Sequence, residues 1–394
     1  MSEWKKYKLD DVAQVQTGPF GSQLHQRDYK LKGTPIITVE HLGENKIIHN
    51  NLPLVSDEDK ERLSKYILKE GDIVFSRVGS VDRRAYVNSK EGGWLFSGRC
   101  LRVRANKKIV DPRYLSYYFG LESFKEHIRM IAVGATMPSI NTEILSGVAL
   151  ILPDLEEQKS IASILSSLDD KIDLLHRQNQ TLEALAETLF RQWFVEKAEE
   201  SWGAGKLGDY GEFKNGINYS RDEAGNTTYG IINVRDVMGN KFIFKEAVNE
   251  INIDFRKAEP YLLQKFDIVI VRSASPGETA LILENQKKLI YSGFTIRFRP
   301  HKEREAFFFF QLMQSIKKHL DIFSDGTTLK NLNQEILKNI EFQVPSFESI
   351  ETFNEKAEPI FDKISKNLTQ IRTLTRLRDT LLPKLMSGEV RAKI

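Results

Sequence analysis

Arg77, Arg83 and Arg84 crowd into one short loop with Ser80 between them. Guanidinium forks and a hydroxyl at such spacing suit bidentate contact with base edges and phosphate oxygens, with no proton to move. Loops that offer the same chemistry are Gly18–Gln23, with Gly18, Ser22 and Gln23, and the Gly134–Thr136 turn, with Thr136. Later in the chain come Asn215–Arg221, with Asn215, Asn218 and Arg221, then Arg272–Ser275 with both of its end residues, and Gly326–Thr328 with Thr328. Glycines in these loops would allow close approach of backbone to phosphate. The competing reading is a set of solvated surface arginines, or, for Arg77 and Arg272, internal salt bridges.

No catalytic set accompanies them. Asp111-Pro112-Arg113-Tyr114 lacks the second proline of the Asn/Asp-Pro-Pro-aromatic loop used in amino methylation. Gly203-Ala204-Gly205-Lys206-Leu207 is not a P-loop, since Leu follows its Lys and its first Gly is misplaced. The 7 histidines are scattered with no His-Glu-x-x-His pair, so no metal site is expected. The single cysteine, Cys100, reads as a packed strand residue and permits no intrachain disulfide. The chain is expected to have no enzyme activity of its own.

The elements that position these loops are written twice. Lys8-Leu9-Asp10-Asp11 aligns with Lys206-Leu207-Gly208-Asp209, and Ile36-Ile37-Thr38-Val39 with Ile231-Ile232-Asn233-Val234. Gly71-Asp72-Ile73-Val74-Phe75-Ser76-Arg77 aligns with Phe266-Asp267-Ile268-Val269-Ile270-Val271-Arg272, and Phe96-Ser97-Gly98 with Tyr291-Ser292-Gly293. Asn141-Thr142-Glu143-Ile144-Leu145 aligns with Asn333-Gln334-Glu335-Ile336-Leu337. The spacing between partners drifts only from 198 to 192, so short loop deletions separate the copies. Each copy opens with a mixed segment of short Val/Ile/Phe/Tyr runs between turn residues, read as strands. One helix late in each is expected, around Tyr114–Met130 and Ala306–Phe323.

A helical segment follows each mixed one. Ile161, Leu165, Leu168, Ile172, Leu175, Asn179, Leu182, Ala186, Leu189 and Trp193 alternate steps of four and three, the seam of a coiled coil. Phe353, Ala357, Ile360, Ile364, Asn367, Ile371, Leu374, Arg378, Leu381 and Leu385 repeat it. Asn179 and Asn367 are candidate register residues. Pro153-Asp154 and Pro345-Ser346 mark the starts; Pro383 should end or kink the second helix, and Pro359 should make its first turns irregular. Two such helices in one chain should pack on each other. Outward-facing Gln158, Lys171, Arg177, Arg191, Lys363 and Arg372 are candidate partner contacts, with a solvated face as the alternative.

The expected organisation is therefore α+β: two pseudo-symmetric mixed domains, residues 1–153 and 201–345, separated by long helices at 154–200 and 346–394. The formal charge of +3 resolves into −6 for residues 154–200, +2 for 346–394 and +7 for the two mixed domains together. Positive readers on a neutral-to-acidic spacer fit a polyanionic partner. With 41% hydrophobic residues, no apolar run near the ~18 residues of a membrane span and no secretory core at the N-terminus, a cytoplasmic protein is expected.

The run Leu152-Pro153-Asp154-Leu155-Glu156-Glu157-Gln158-Lys159-Ser160-Ile161-Ala162 resembles the central conserved helix of specificity (S) subunits of type I restriction-modification systems. Leu381-Leu382-Pro383-Lys384-Leu385-Met386-Ser387-Gly388-Glu389-Val390 is similar to their C-terminal helix, and Thr17-Gly18-Pro19-Phe20-Gly21-Ser22 to the start of their target-recognition domain. Phe347-Glu348-Ser349-Ile350-Glu351 departs from the Glu-Gln-Lys order of the central motif. The resemblance implies two target-recognition domains that each read half of a split double-stranded DNA sequence. It implies two antiparallel helices that fix the gap and dock two modification (M) subunits. S-adenosylmethionine would sit in the M subunits, ATP and Mg in added restriction (R) subunits, and no cofactor in this chain. Forty helical residues would span roughly 60 Å. A duplicated coiled-coil adaptor for proteins or glycans, or a self-sufficient methyltransferase, are the other readings.

Overall fold

A computed structural model describes residues 4–21, 23–220, 223–323 and 332–392. Two compact units emerge, residues 1–172 with 373–394, and residues 173–372. Each unit holds one mixed segment together with a stretch of both long helices.

In the first unit a four-stranded antiparallel sheet runs in the order Ala13–Thr17, Cys100–Ala105, Asp72–Ser76, Arg84–Tyr86. A three-stranded sheet of Leu54–Val55, Thr34–Ile37 and Leu95–Phe96 packs beside it, and its last pair is parallel. The second unit repeats this order. Gly211–Asn215, Thr295–Pro300, Ile268–Val271 and Thr279–Leu281 form the antiparallel sheet, and Asn249–Ile253, Thr227–Ile232 and Leu289–Tyr291 the smaller one, again with a parallel pair. Both copies close their ends with a two-stranded ribbon, Lys5–Lys8 against Ala149–Leu152 and Gly203–Lys206 against Glu341–Val344. Closure matters because it delivers the chain to the start of each long helix.

The duplication extends to buried polar chemistry. Arg104 Nη2 meets Asp72 at 2.6 Å and Arg299 Nε meets Asp267 at 2.6 Å, with the carboxylates 1% and 0% exposed. Asn141 and Asn333 cap equivalent short helices, each Oδ1 accepting a backbone N–H at 2.8 Å. Cys100 lies fully buried at the start of its strand, and burial pushes its thiol up to about 12.

The long helices are Leu155–Arg191 and Phe347–Met386. Asp154 Oδ1 caps the first by accepting from Glu157 N at 2.9 Å, and Ser346 Oγ caps the second by accepting from Ser349 N at 3.1 Å. Every position of both seams is buried or half-buried. In the first unit Arg378 Nη1 reaches Asp169 at 2.8 Å, and Tyr117 of the mixed domain donates to the same carboxylate at 2.5 Å. In the second unit Asn367 Nδ2 donates to Asn179 Oδ1 at 2.8 Å between buried side chains. Within the first unit Arg391 also pairs with Glu157 at 2.6 Å, so there the two stretches of helix run antiparallel.

Three local expectations fail. Pro359 leaves no irregular start: the helix runs unbroken from Phe347 through Met386. A missing N–H removes one bond from the ladder, but the flanking seam residues Phe353, Ala357, Ile360 and Ile364 hold the backbone by burial. Pro383 does not end the helix where it stands; the end comes at Met386, followed by Gly388 at φ +75°. Finally, the helix expected at Tyr114–Met130 is two, Pro112–Tyr118 and Glu122–Ile131, separated around Gly120. Its counterpart, Ala306–Phe323, is continuous.

Candidate nucleic-acid interface

The loops of the first domain converge on Arg77. Its backbone N donates to Arg99 O at 2.8 Å, and its carbonyl accepts from Ile140 N at 2.9 Å. Its guanidinium donates to Gly98 O at 3.2 Å and lies 5.7 Å from the Phe20 ring. Main-chain bonds thus tie together the residue 77–84, 97–99 and 133–140 loops, and the Arg77 guanidinium brings in Phe20. Arg272 occupies the matching node of the second domain, its N donating to Phe294 O at 3.0 Å and its carbonyl accepting from Leu332 N at 2.8 Å. Among the described residues neither arginine forms an ion pair. Arg272 has no side-chain hydrogen bond among them either, and stays half-buried.

Around these nodes the predicted residues divide. Ser80 and Thr136 are exposed at the first node, Asn215 and Asn218 are exposed at the second, and Ser275 is half-buried. Gln23 is half-buried and its Oε1 accepts from Tyr66 OH at 2.8 Å, leaving its amide N–H groups. Arg83 is half-buried and bonds to Leu42 O. Asn215 faces Gln334, whose amide oxygen, in the orientation that satisfies both side chains, accepts from Asn215 N at 3.0 Å. Ser22, Arg221 and Thr328 lie outside the described residues.

Four residues leave the candidate set. Arg84 is 3% exposed, with Nε on Ser116 O at 2.9 Å and Nη1 on Glu44 at 2.9 Å. Burial opposes charge on Glu44, but Arg84 and Lys125 outweigh it and hold the carboxyl below its usual range. Arg84 is an internal strut. Gly18 is buried, its N–H already donates to Cys100 O at 3.2 Å, and a Cβ there would lie 2.1 Å from Ser97 O. Gly216 repeats that clash with Ser292 O at 2.1 Å, so glycine serves strand packing in both copies. Gln158 is 1% exposed: it accepts from Asp111 N at 2.9 Å and donates to Pro153 O at 3.0 Å, fastening the mixed domain to the helix start. Arg372 turns inward to Glu246 at 2.9 Å and Glu284 at 3.1 Å, with Phe244 beneath it at 3.9 Å. Of the remaining helix candidates Arg177 and Lys363 are exposed, Lys171 is half-buried and Arg191 pairs with Glu196 at 3.0 Å.

Arg99 and Phe294, both exposed and both bonded through their carbonyls to the nodes, are absent from the residues that sequence singles out. They directly follow the repeated Ser-Gly of 97–98 and 292–293, and that repeat is the sequence signal that points to them. Asp111 caps the helix at Pro112–Tyr118, accepting from Tyr114 N at 2.9 Å. Among the described residues no cluster of His, Cys, Asp or Glu is fit to hold a metal, and no helix is long and apolar enough to cross a membrane.

A family model described as the type I restriction modification DNA specificity domain matches residues 1–184 and again 199–378. The chain belongs to that family. Among relatives, the type I restriction enzyme HindI specificity subunit of Haemophilus influenzae is 25% identical across 99% of this chain and 100% of its own length. The MjaIX specificity subunit of Methanocaldococcus jannaschii is 25% identical across 99% of this chain and 94% of its own. The type I restriction-modification S subunit from M. genitalium shares the fold, with a TM-score of 0.63 at 17% identity over 98% of this chain and 96% of that one. As a specificity subunit the chain recognises DNA and is a non-catalytic component of a restriction-modification complex. Each of the two matches takes in one mixed segment.

Proposed function

We propose that residues 1–153 and 201–345 each read one half of a split double-stranded DNA target, through the loops gathered on Arg77 and on Arg272. Residues 154–200 and 346–394 set the gap between halves and dock two M subunits, with Lys171, Arg177, Arg191 and Lys363 among the contacts. The M subunits supply S-adenosylmethionine, and R subunits added to them supply ATP and Mg. The chain carries DNA readout and no cofactor.

One observation carries this reading: the same hydrogen-bonded node occurs twice, dressed with different side chains. Arg99 stands at one and Phe294 at the other; Arg83 stands at one and Glu278 at the other, each accepting the equivalent main-chain bond, from Ser76 N and Val271 N. A shared frame with divergent contact residues is what two different half-sites require, because phosphate contacts position a reader and base contacts specify. Tethering two weak readers also multiplies their affinities.

Replacement of residues 1–153 by the matching segment of another specificity subunit tests it, with methylated adenines mapped in the host genome. One half of the methylated sequence should change and the other persist. A change in both halves, or in neither, refutes independent readout. A seven-residue insertion in each long helix should lengthen the gap; an unaltered gap removes the spacer role. Were the assembled complex to show no salt-dependent DNA binding, the adaptor reading would replace this one.

A further inference from the structure

The tip at residues 133–139 is built as a closed loop. Val133 N donates to Ser139 O at 2.9 Å and Ser139 N returns a bond to Val133 O at 2.8 Å. Gly134 sits at φ +108°, and a Cβ on it would lie 2.7 Å from Met137 O, so the turn depends on glycine. Main-chain bonds then fix the tip to the Arg77 node: Gly79 N donates to Pro138 O at 2.8 Å, Val78 bridges Ser139, and Ile140 N donates to Arg77 O at 2.9 Å.

This preorganised tip presents apolar groups to solvent. Val133 is 62% exposed and Met137 66%, and Met130 at the end of the adjoining helix is 78% exposed. Ser80, Thr136 and Arg77 lie on the same joined loops. A pair of apolar side chains bordered by hydroxyls and a guanidinium does not make the broad apolar face of a protein interface, which takes on the order of 800 Å² per partner. It matches the wedges that DNA-deforming proteins insert between base steps, with polar neighbours on the phosphates.

We propose that Met137, supported by Val133, enters the first half-site as a wedge and unstacks one base step, so that this half-site is selected in part by how easily it deforms. The inference rests on the DNA reading given above. Unstacking favours the pyrimidine–purine steps that open most easily. The wedge therefore contributes specificity without a hydrogen bond to any base.

The test uses the complex assembled with its M subunits on its mapped target, with 2-aminopurine placed in turn at each position of the first half-site. One position other than the methylated adenine should brighten on binding. In the Val133→Ser, Met137→Ser variant that signal should vanish and target affinity should fall by about tenfold, with non-specific DNA binding and subunit assembly unchanged. Both side chains are mostly exposed, and the melting temperature of the variant reports that the fold is intact. If the wild-type complex binds its target yet no such position brightens, or if the variant keeps full affinity, the wedge is wrong. A variant that fails to assemble in the absence of DNA overturns it too, and makes the tip a protein contact. A wild-type complex that binds no duplex refutes the DNA reading itself, and the wedge falls with it.

Discussion

Asn367→Leu isolates what the buried amide pair does. Asn367 Nδ2 donates to Asn179 Oδ1 at 2.8 Å, with the two residues 1% and 4% exposed, and Asn179 Nδ2 has no hydrogen-bond partner. Leucine has nearly the shape of asparagine, so packing changes little. What changes is that Asn179 is left with no partner for its carbonyl. A stranded buried polar group costs about 1–3 kcal/mol. Both residues belong to the unit of residues 173–372, a size at which 1 kcal/mol moves the melting temperature by roughly 2–4 °C. A loss of roughly 4–8 °C is expected for Asn367→Leu, and a similar one for Asn179→Leu. The double variant, with an apolar seam and nothing stranded, should melt near the parent or above it, giving a coupling of at least about 1 kcal/mol. Differential scanning calorimetry of the four proteins reads the cycle, and hydrogen exchange over residues 173–372 assigns the transition. A double variant that melts as low as the two single losses added together would refute the argument. The pair would then be stabilising in itself, with no role confined to specifying register.

Arg104→Leu strands the Asp72 carboxylate and Arg299→Leu strands Asp267, both at most 1% exposed, so each should cost about 3 kcal/mol in chemical denaturation. A cost below about 1 kcal/mol in either copy would show that water reaches the carboxylate. Arg272→Ala, which loses no hydrogen bond or ion pair among the described residues, should leave stability within about 0.5 kcal/mol while weakening target binding and flattening its salt dependence; unchanged salt dependence in a titration would exclude a phosphate contact. The buried Cys100 thiol holds its proton to about 12, whereas its ordinary value is 9.0. Its contribution to stability is complete below pH 9 and declines as pH rises from there toward 12, and Cys100→Ala should flatten that decline. Native protein at pH 8 should resist Ellman's reagent and denatured protein react at once; stoichiometric labelling of the native form would contradict the burial.

Much of the architecture is legible in the amino-acid order itself. The duplication is written in paired motifs, and heptad spacing names the seam residues, because burial along a helix recurs with the helix period. The caps at Asp154 and Ser346 are equally local. What the sequence leaves open is which polar residues face outward. Arg84, Gln158 and Arg372 carry the side chains expected of a contact surface, yet each bonds to partners 5 to 126 positions away. Gly18 looks like a glycine kept for a ligand and is kept for Ser97, across a strand pairing that only the folded sheet creates. Pro359 reads as a helix disruptor by its local effect, and tertiary burial of the seam overrides it. Sequence alone determined the repeat, the secondary elements and the helical seams, because those depend on short-range periodicity and backbone preference. Tertiary structure decided which arginines are struts and which stay available, and drew the Arg77 and Arg272 loops together, because exposure and convergence are set by contacts between distant segments.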